Sequence, residues 1–312
     1  MEKEKRKNRK LFTIVLIIVI SIFILTLIPT VLLSIKNKEL ENEYIKLENS
    51  YKESLEQNQT NNEKQNSLKS NIEQLNNIEE KIDEERKTYF KKIKELEDKI
   101  LSGKSDKKIA YLTFDDGPYY LTNEYLDVLN KYNVKATFFT IGLGKERCLD
   151  NKNVNCYTMY KKIVENGHTI ANHTYSHGIF YGLYNSASSF MTQVQKQEDL
   201  IKKETGIVTN IIRFPGGSST AGGNKNAIIQ ELRKKNYGWV DWTAQDGDGG
   251  NLASKEQALT TFKNSINQDI EVVLFHDYNR ITLEMLPEFI EYLQEKGYIL
   301  LPLFYESNMI NK

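Results

Sequence analysis

The chain has 312 residues, of which 39% are hydrophobic and 27% are charged, and its 42 basic and 42 acidic side chains leave no formal net charge. The balanced charge argues against a nucleic-acid-binding protein that depends on bulk positive charge. Two cysteines are too few for a disulfide scaffold or a four-cysteine zinc site.

Residues 11–35 form an uncharged segment dominated by Ile, Leu and Val. As a helix this segment would be about 37 Å long, which is enough to cross the hydrocarbon core of a membrane. The basic residues 1–10 would then be a cytoplasmic tail, with everything after residue 35 outside. A cleaved signal peptide is the alternative. The segment is long for one and has no small-residue cleavage pattern, so we favour an uncleaved signal anchor.

The sequence of residues 36–100 predicts a helical stalk. From Leu40 to Ile100 there is no Gly or Pro, and a heptad register with Leu40 at d places apolar residues at seven of nine d positions. This pattern favours a coiled coil, which would allow a homodimer. The polar residues 58–65 weaken the seam, and a charged solvated helix or a partly disordered spacer is the alternative. Residues 101–107 then predict a linker.

Residues 108–312 predict an α/β domain in which strands and helices alternate. Such alternation is typical of a parallel sheet, either open or closed into a distorted (β/α) barrel. The predicted strands are residues 109–114, 136–141, 168–171, 211–214, 237–241, 272–275 and 298–304. The predicted helices are residues 122–132, 157–166, 190–205, 225–236, 255–267 and 283–296. Polar residues follow several of these strands, where the active sites of barrels lie.

Two adjacent carboxylates, Asp115 and Asp116, end the first strand and are followed by Gly117 and Pro118. Such a pair can supply an acid or base and a metal ligand. The same residues also form ordinary turns, so this motif alone leaves both interpretations open.

His173 and His177 are spaced i and i+4, in a chain that has four histidines. Two imidazoles so spaced can bind one metal ion, although an isolated pair of this kind is more often on the surface. With Asp116 they would provide three ligands and leave a position open for water, which is typical of a catalytic metal site. We interpret His168, which has no such partner, as structural.

Further polar residues follow later strands. Arg213 precedes Phe214-Pro215-Gly216-Gly217, where a guanidinium can bind a carboxylate and glycine N–H groups can face an oxyanion. The alternative is a turn with a surface ion pair.

His276 could be a general acid held by an aspartate. Trp242 and Leu274 could line a groove or be plain core residues. Asp246, Asp248 and Asp277, each taken alone, are interpreted as loop or cap residues.

Together and in this order, TFDDGP at 113–118, HTYSH at 173–177, RFPGG at 213–217, DW at 241–242 and LFH at 274–276 resemble the polysaccharide deacetylase family. This is the NodB-homology group, also called carbohydrate esterase family 4. The resemblance covers roughly residues 107–304 and implies a hydrolase that removes acetyl groups from a polysaccharide.

The resemblance also implies roles on the metal side of the site. Asp115 would be the general base, oriented by an ion pair with Arg213. Asp116 would bind one divalent metal ion with His173 and His177. Zinc is the expected metal, with cobalt or manganese as alternatives.

On the other side, the resemblance assigns the leaving-group acid to His276, which Asp241 or Asp248 would hold and tune. Both aspartates match part of the family's fourth motif, so they remain rivals. The oxyanion would bind the backbone N–H of Gly216. The groove for the acetyl group would be lined by Pro215, Trp242 and Leu274.

The expected substrate is the N-acetylglucosamine of peptidoglycan, acted on by a domain anchored to the outer side of the cell membrane. Chitin, poly-N-acetylglucosamine and acetylated xylan are alternatives, and so is an inactive tether that only binds the wall. The chain departs from the family pattern at Gly178, where Pro is frequent, and at Gly216, where Tyr is frequent. Residues 144–155 resemble an insertion, and Cys148 and Cys156 could be either disulfide-bonded or reduced.

Overall fold

The computed structural model describes residues 2–56, 62–142 and 156–312, with their side chains except at residues 15–32, 35, 53–56 and 62–67. The chain divides into two compact units, Met1–Tyr89 and Phe90–Lys312. The predicted insertion, residues 144–155, lies outside the described residues, and so does Cys148.

The first unit contains helix α1, Glu2–Glu56, and most of helix α2, Asn62–Leu101. Lys36 Nζ on α1 lies 3.7 Å from Glu85 Oε1 on α2, and burial followed by the charge of Glu79 raises the pKa of Tyr44. These pairs bring the beginning of one segment next to the end of the other. The described residues of 36–100 are helical, and part of α1 lies beside part of α2. The stalk itself stays a prediction. The homodimeric coiled coil stays a prediction.

No helix among the residues described is long and apolar enough to cross a membrane. Most of the predicted anchor, residues 15–32, has side chains outside that description. The anchor stays a prediction.

The second unit alternates strands and helices as predicted. Its strands are β1 Lys108–Asp115, β2 Thr137–Thr140, β3 Thr169–Asn172, β4 Ile211–Ile212, β5 Gly238–Trp239, β6 Ala244–Gln245, β7 Ile270–His276 and β8 Tyr298–Leu301. Its further helices are α3 Thr122–Lys131, α4 Cys156–Glu165, α5 Ala187–Thr205, α6 Lys225–Lys234, α7 Lys255–Ser265 and α8 Arg280–Glu295. Short 3₁₀ helices span Ile179–Tyr181 and Ser218–Asn224. Of the described strands, β6 alone was not predicted, because Ala244–Gln245 lies between Thr243 and Asp246 and forms no apolar run.

The described strands form one parallel sheet in the order β5-β4-β3-β2-β1-β7-β6, with β8 pairing along the first half of β1. Among the described residues the outermost strands β5 and β6 do not pair with each other. The sheet is therefore an open, curled form of the predicted (β/α) barrel. Because all its strands run in the same direction, their carboxyl ends meet at one edge.

The centre of the sheet is apolar on both faces, since helices cover a parallel sheet. Every residue of β1 except the first is buried. Phe114 of β1 stacks on Phe138 of β2 and Phe275 of β7, with ring centroids 5.0 and 5.6 Å apart. Phe289 of α8 stacks on Phe262 of α7. This packing fixes the strand ends that carry the polar residues.

The last turns of α2 belong to the second unit, which begins at Phe90, whereas the predicted deacetylase domain begins at residue 108. Glu97 is fully buried and its carboxylate accepts hydrogen bonds from Tyr111 Oη at 2.6 Å, Ser307 Oγ at 2.5 Å and the Asn308 N–H at 2.8 Å. Phe90 stacks on Phe304, with centroids 4.7 Å apart. The helix that leads into the domain is therefore part of its core.

We expect Glu97→Ala to lower the free energy of unfolding of this unit by about 3 kcal/mol, because the buried hydroxyl groups of Tyr111 and Ser307 and the Asn308 N–H lose their acceptor. Urea denaturation followed by tryptophan fluorescence reports on this unit alone, since the chain's two tryptophans, Trp239 and Trp242, lie in it. Glu95→Ala, at an exposed position of the same helix, is the control and should change the value by less than about 0.5 kcal/mol. Equal stabilities of the two variants would contradict the role of Glu97.

Candidate active site

The candidate site lies at the carboxyl edge of the sheet, where four strands deliver polar side chains. Asp115 ends β1 and is the register partner of His276, which ends β7. His173 directly follows β3, and Arg213 directly follows β4. The strands bring together residues that are far apart in the sequence, as the motif positions predicted.

Asp116, His173 and His177 form a cluster whose potential ligand atoms all lie within 4.8 Å of one another. Asp116 Oδ1 is 3.6 Å from His173 Nε2 and 3.4 Å from His177 Nε2. The backbone φ angles of Asp116 and His177 are 72° and 49°, a region that non-glycine residues rarely occupy. The chain thus adopts unfavourable backbone conformations at two of the three cluster residues.

The cluster fits a divalent metal ion. His173 Nδ1 lies 2.8 Å from the carbonyl oxygen of Arg213; because a carbonyl only accepts, Nδ1 carries the proton and Nε2 presents its lone pair. Burial, followed by the influence of His177, lowers the pKa of His173 to about 3, so the ring is neutral. Atoms bound about 2.1 Å from a tetrahedral metal are separated by about 3.4 Å, close to the observed separations. Two imidazoles and a carboxylate suit zinc, cobalt or manganese.

Asp115 and Arg213 form a buried ion pair beside this cluster. Arg213 Nη1 donates to Asp115 Oδ1 at 2.9 Å and to Thr113 Oγ1 at 2.7 Å. Its other nitrogens donate to the carbonyl oxygens of Val240 and Asp241. Burial raises the pKa of Asp115, and Arg213 acts in the opposite direction. The carboxylate is therefore held in one orientation, close to the cluster, and has the character of a base.

His276 lies on the opposite side and is held by Asp248. Its Nδ1 is 2.7 Å from Asp248 Oδ1, and its backbone N–H donates to Asp248 Oδ2 at 2.7 Å. Burial alone would lower the pKa of His276, but the hydrogen bond and charge of Asp248, with the more distant Asp116 and Asp115, raise it to about 9. A protonated imidazole faces the site.

The structure separates the two rival aspartates. Asp241 Oδ1 accepts from the Ser218 N–H at 2.8 Å and its Oδ2 from Ser218 Oγ at 2.6 Å. Its side chain thus supports the turn after Arg213. Asp241 does not contact His276 among the described residues, so its predicted tuning role passes to Asp248.

Asp246 is a buried neighbour of this pair that the sequence analysis did not assign to the site. Its Oδ1 accepts from the Asp248 N–H at 3.1 Å, and its Oδ2 lies 2.7 Å from Thr282 Oγ1, which is also 3.2 Å from Asp248 Oδ2. Burial and the charge of Asp248 raise the pKa of Asp246 to about 7. The D-x-D pattern among glycines was the available signal. Asp246 and Thr282 position Asp248.

Gly249 allows the glycine-rich segment, residues 247–250, to cover His276. A Cβ atom at Gly249 would lie 2.9 Å from His276 Cε1, which is closer than real Cβ contacts occur. Only a residue without a side chain lets the backbone approach the imidazole so closely. The glycine-rich segment therefore limits the space beside the acid.

The remaining predicted residues lie around the turn after β4. Gly216 is exposed, has φ 70°, and its N–H donates to no group among the described residues. The ring of Trp242 packs at Gly217, and the Pro215 carbonyl accepts from Tyr184 Oη at 2.7 Å. Leu274 of β7 is 5% exposed. The Gly216 N–H is thus open to a ligand, whereas Leu274 is mainly a core residue.

The structure also shows the surroundings of His168 and the bonding state of Cys156. His168 Nδ1 accepts from the Ala136 N–H at 3.0 Å, and burial lowers the pKa of His168 to about 3. Its structural interpretation agrees with this contact. Cys156 is disulfide-bonded, so the reduced alternative for this residue is wrong.

Comparison with known proteins gives a consistent result. A profile described as polysaccharide deacetylase matches residues 102–238. A peptidoglycan-N-acetylglucosamine deacetylase of Bacillus cereus is 28% identical over 62% of this chain and 68% of its own length. The catalytic domain of peptidoglycan N-acetylglucosamine deacetylase from Eubacterium rectale superposes with a TM-score of 0.59 and 32% identity, over 66% of this chain and 93% of that domain.

Curated relatives extend beyond the shared region. YheN of Bacillus subtilis is 32% identical over 61% of this chain, and the match spans 65% of YheN. The similarity therefore concerns the second unit. The first unit lies outside the residues that the profile matches.

Replacing both His173 and His177 by Ala should abolish tight binding of one divalent metal ion per chain, because one carboxylate alone is a weak site. Equilibrium dialysis with zinc and elemental analysis would measure this. His276→Ala is the control and should retain the metal. Retention of one tightly bound ion by the double variant would contradict the cluster as the metal site.

In the metal-free protein, Asp248→Asn should lower the pKa of His276 from about 9 to below its ordinary value of about 6.5, because the lowering effect of burial remains. Titration of the imidazole by NMR would show this, and Asp241→Asn should leave the pKa near 9. The folded-state value exceeds the unfolded one. The pair therefore stabilises the fold fully below about pH 6.5, and this contribution is lost as the pH rises through about 9. An unchanged titration in Asp248→Asn would contradict the pairing.

Proposed function

Because this chain belongs to the polysaccharide deacetylase family, a family of hydrolytic deacetylases, we propose that it is a metal-dependent amide hydrolase that removes acetyl groups from the N-acetylglucosamine of peptidoglycan. The observation that carries the proposal is the placement of a buried base, Asp115, and a protonated acid, His276, at the ends of paired strands. The Asp116–His173–His177 cluster lies next to the base.

A divalent metal held by Asp116, His173 and His177 would lower the pKa of water towards about 7 and polarise the acetyl carbonyl. The residues of the chain provide the proton transfers and the orientation. The water oxygen bonds to the carbonyl carbon while Asp115 accepts the water proton. Arg213 keeps the Asp115 carboxylate directed at that position by its 2.9 Å contact.

Hydrolysis then requires stabilisation of the oxyanion and protonation of nitrogen. The N–H of Gly216, which has no acceptor among the described residues, can donate to the developing oxyanion. His276 donates its proton to the amide nitrogen as the C–N bond breaks. Before this step, the Asp248 carboxylate stabilises the protonated imidazole of His276. After the proton has left, the same carboxylate still holds the ring through its hydrogen bond with Nδ1. The products are acetate and a glycan amine.

The choice of peptidoglycan rests on the named relatives and on the predicted organisation of the chain. Both proteins compared above that carry a substrate in their name are peptidoglycan-N-acetylglucosamine deacetylases. We also propose that residues 11–35 anchor the chain, with the basic residues 1–10 in the cytoplasm and the deacetylase unit on the wall side. Zinc is the proposed metal, with cobalt and manganese as alternatives.

The test is acetate release by the full chain, purified in mild detergent and loaded in turn with zinc, cobalt or manganese. Purified peptidoglycan, chitin oligosaccharides and acetylated xylan are the substrates. We expect Asp115→Asn and His276→Ala each to lower kcat by at least about 100-fold, because each removes one proton transfer. Asp127→Asn, at an exposed carboxylate of α3, is the isosteric control and should retain wild-type kcat.

Each outcome has a distinct meaning. Release from peptidoglycan alone supports the proposed substrate. Release only from chitin or xylan changes the substrate and keeps the mechanism. A metal-loaded chain that releases no acetate from any substrate would favour an inactive protein that binds the wall.

A further inference from the structure

Two aromatic side chains next to the site are almost fully exposed. Phe180 and Tyr181 are 95% and 93% exposed, and no large hydrophobic side chain among those described is more exposed. Exposed apolar area of this size is unfavourable in water, at roughly 25 cal/mol per Å². Large aromatic groups left in solvent beside a site are typical of ligand-binding surfaces.

Hydrogen bonds hold both ends of the backbone segment that carries Phe180 and Tyr181. Ile179 N–H donates to the carbonyl of His177, a residue of the metal cluster, at 2.9 Å. The N–H groups of Tyr181 and Leu183 both donate to the Gly178 carbonyl, and Leu183 is buried in the core. The 3₁₀ helix Ile179–Tyr181 is therefore a fixed support for two exposed rings.

The same segment contacts the turn after β4. Ile179 Cδ1 would lie 3.1 Å from a Cβ atom built at Gly216, the residue whose N–H is proposed to bind the oxyanion. Tyr184, three residues after Tyr181, donates to the Pro215 carbonyl at 2.7 Å. The aromatic pair is thus joined both to a metal-cluster residue and to the oxyanion turn, and lies at the rim of the site.

The composition around the pair indicates which ligand it suits. Residues 178–195 contain Tyr, Asn, Ser, Thr and Gln but no Lys or Arg. Segments that bind membrane surfaces combine aromatic residues with clusters of basic ones, whereas the first basic residue after the pair is Lys196, whose ammonium lies over the ring of Tyr175. A pyranose ring has an apolar C–H face and hydroxyl groups at its edge, so it can cover an aromatic ring while its polar groups stay hydrated or reach neighbouring hydroxyl and amide side chains.

We propose that Phe180 and Tyr181 form an aromatic platform that binds the sugar units next to the one being deacetylated. The ligand is an acetylated pyranose polymer, and the platform makes the enzyme select chains of several sugars over single sugars. This inference rests on the proposed function and adds a binding surface outside the reacting centre.

The test compares the full chain with the Phe180→Ala/Tyr181→Ala double variant on N-acetylglucosamine oligomers of one to six sugars. We expect KM for the longest oligomers to rise by roughly ten-fold in the double variant, with kcat changed less than about two-fold and short oligomers unaffected. Phe180→Tyr/Tyr181→Phe should retain the wild-type length dependence. Val208→Ala is the surface control, since Val208 is 59% exposed and precedes β4 at the opposite edge of the sheet.

A binding measurement separates this inference from the catalytic one. In the Asp115→Asn background, calorimetry with the hexamer should show a roughly ten-fold weaker dissociation constant when both rings are removed. This result supports the platform even if the chain releases no acetate. Equal affinity with and without the rings, or an equal loss at every oligomer length, would overturn it. Loss of binding to phosphatidylcholine–phosphatidylglycerol vesicles with unchanged oligomer binding would also overturn it.

Discussion

The site depends on the complete burial of one guanidinium. Taking Arg213 out of water is costly, and hydrogen bonds from its five N–H groups offset the cost. Four of these groups donate to Thr113 and Asp115 on β1 and to the carbonyl groups of Val240 and Asp241 after β5. The centroid of the Phe139 ring lies 4.2 Å from the guanidinium carbon. One side chain thereby joins three strand ends, and the Arg213 carbonyl also fixes the tautomer of His173.

Beside His276, two buried carboxylates must also be stabilised, and here several separate donors do so. Asp246 and Asp248 are both buried, which would be unfavourable for two isolated carboxylates. Thr282, the Asp248 N–H and His276 distribute hydrogen bonds over them. Burial and the neighbouring charge of Asp248 raise the pKa of Asp246, so the protonated form of Asp246 is favoured beside the Asp248–His276 pair. The base and the acid are thus held by separate sets of hydrogen bonds, while the charges of Asp115 and His276 favour each other's ionised form.

The alternation of strands and helices was predictable because each buried strand is a short apolar run bounded by turn residues, and the site followed because polar residues end those runs. Sequence spacing could not choose between Asp241 and Asp248, since the choice depends on how the glycine-rich segment folds over His276. The packing of Glu97 into the second unit was not predictable for a related reason. Glu97 occupies an e position of the heptad register, where charged residues are normally exposed, so periodicity carried no sign of its burial.

The contacts of Glu97 also constrain the order in which the unit forms. Its partners Ser307 and Asn308 lie 210 and 211 residues further along the chain. Asn311 then pairs with Trp239 on the outermost strand β5. A chain made from its amino terminus therefore cannot bury Glu97 or cover β5 until residues 307–311 have been synthesised. Closing so long a loop carries an entropic cost before any contact forms. The contacts that fix the helix before β1 therefore form only after every described strand of the sheet has been made.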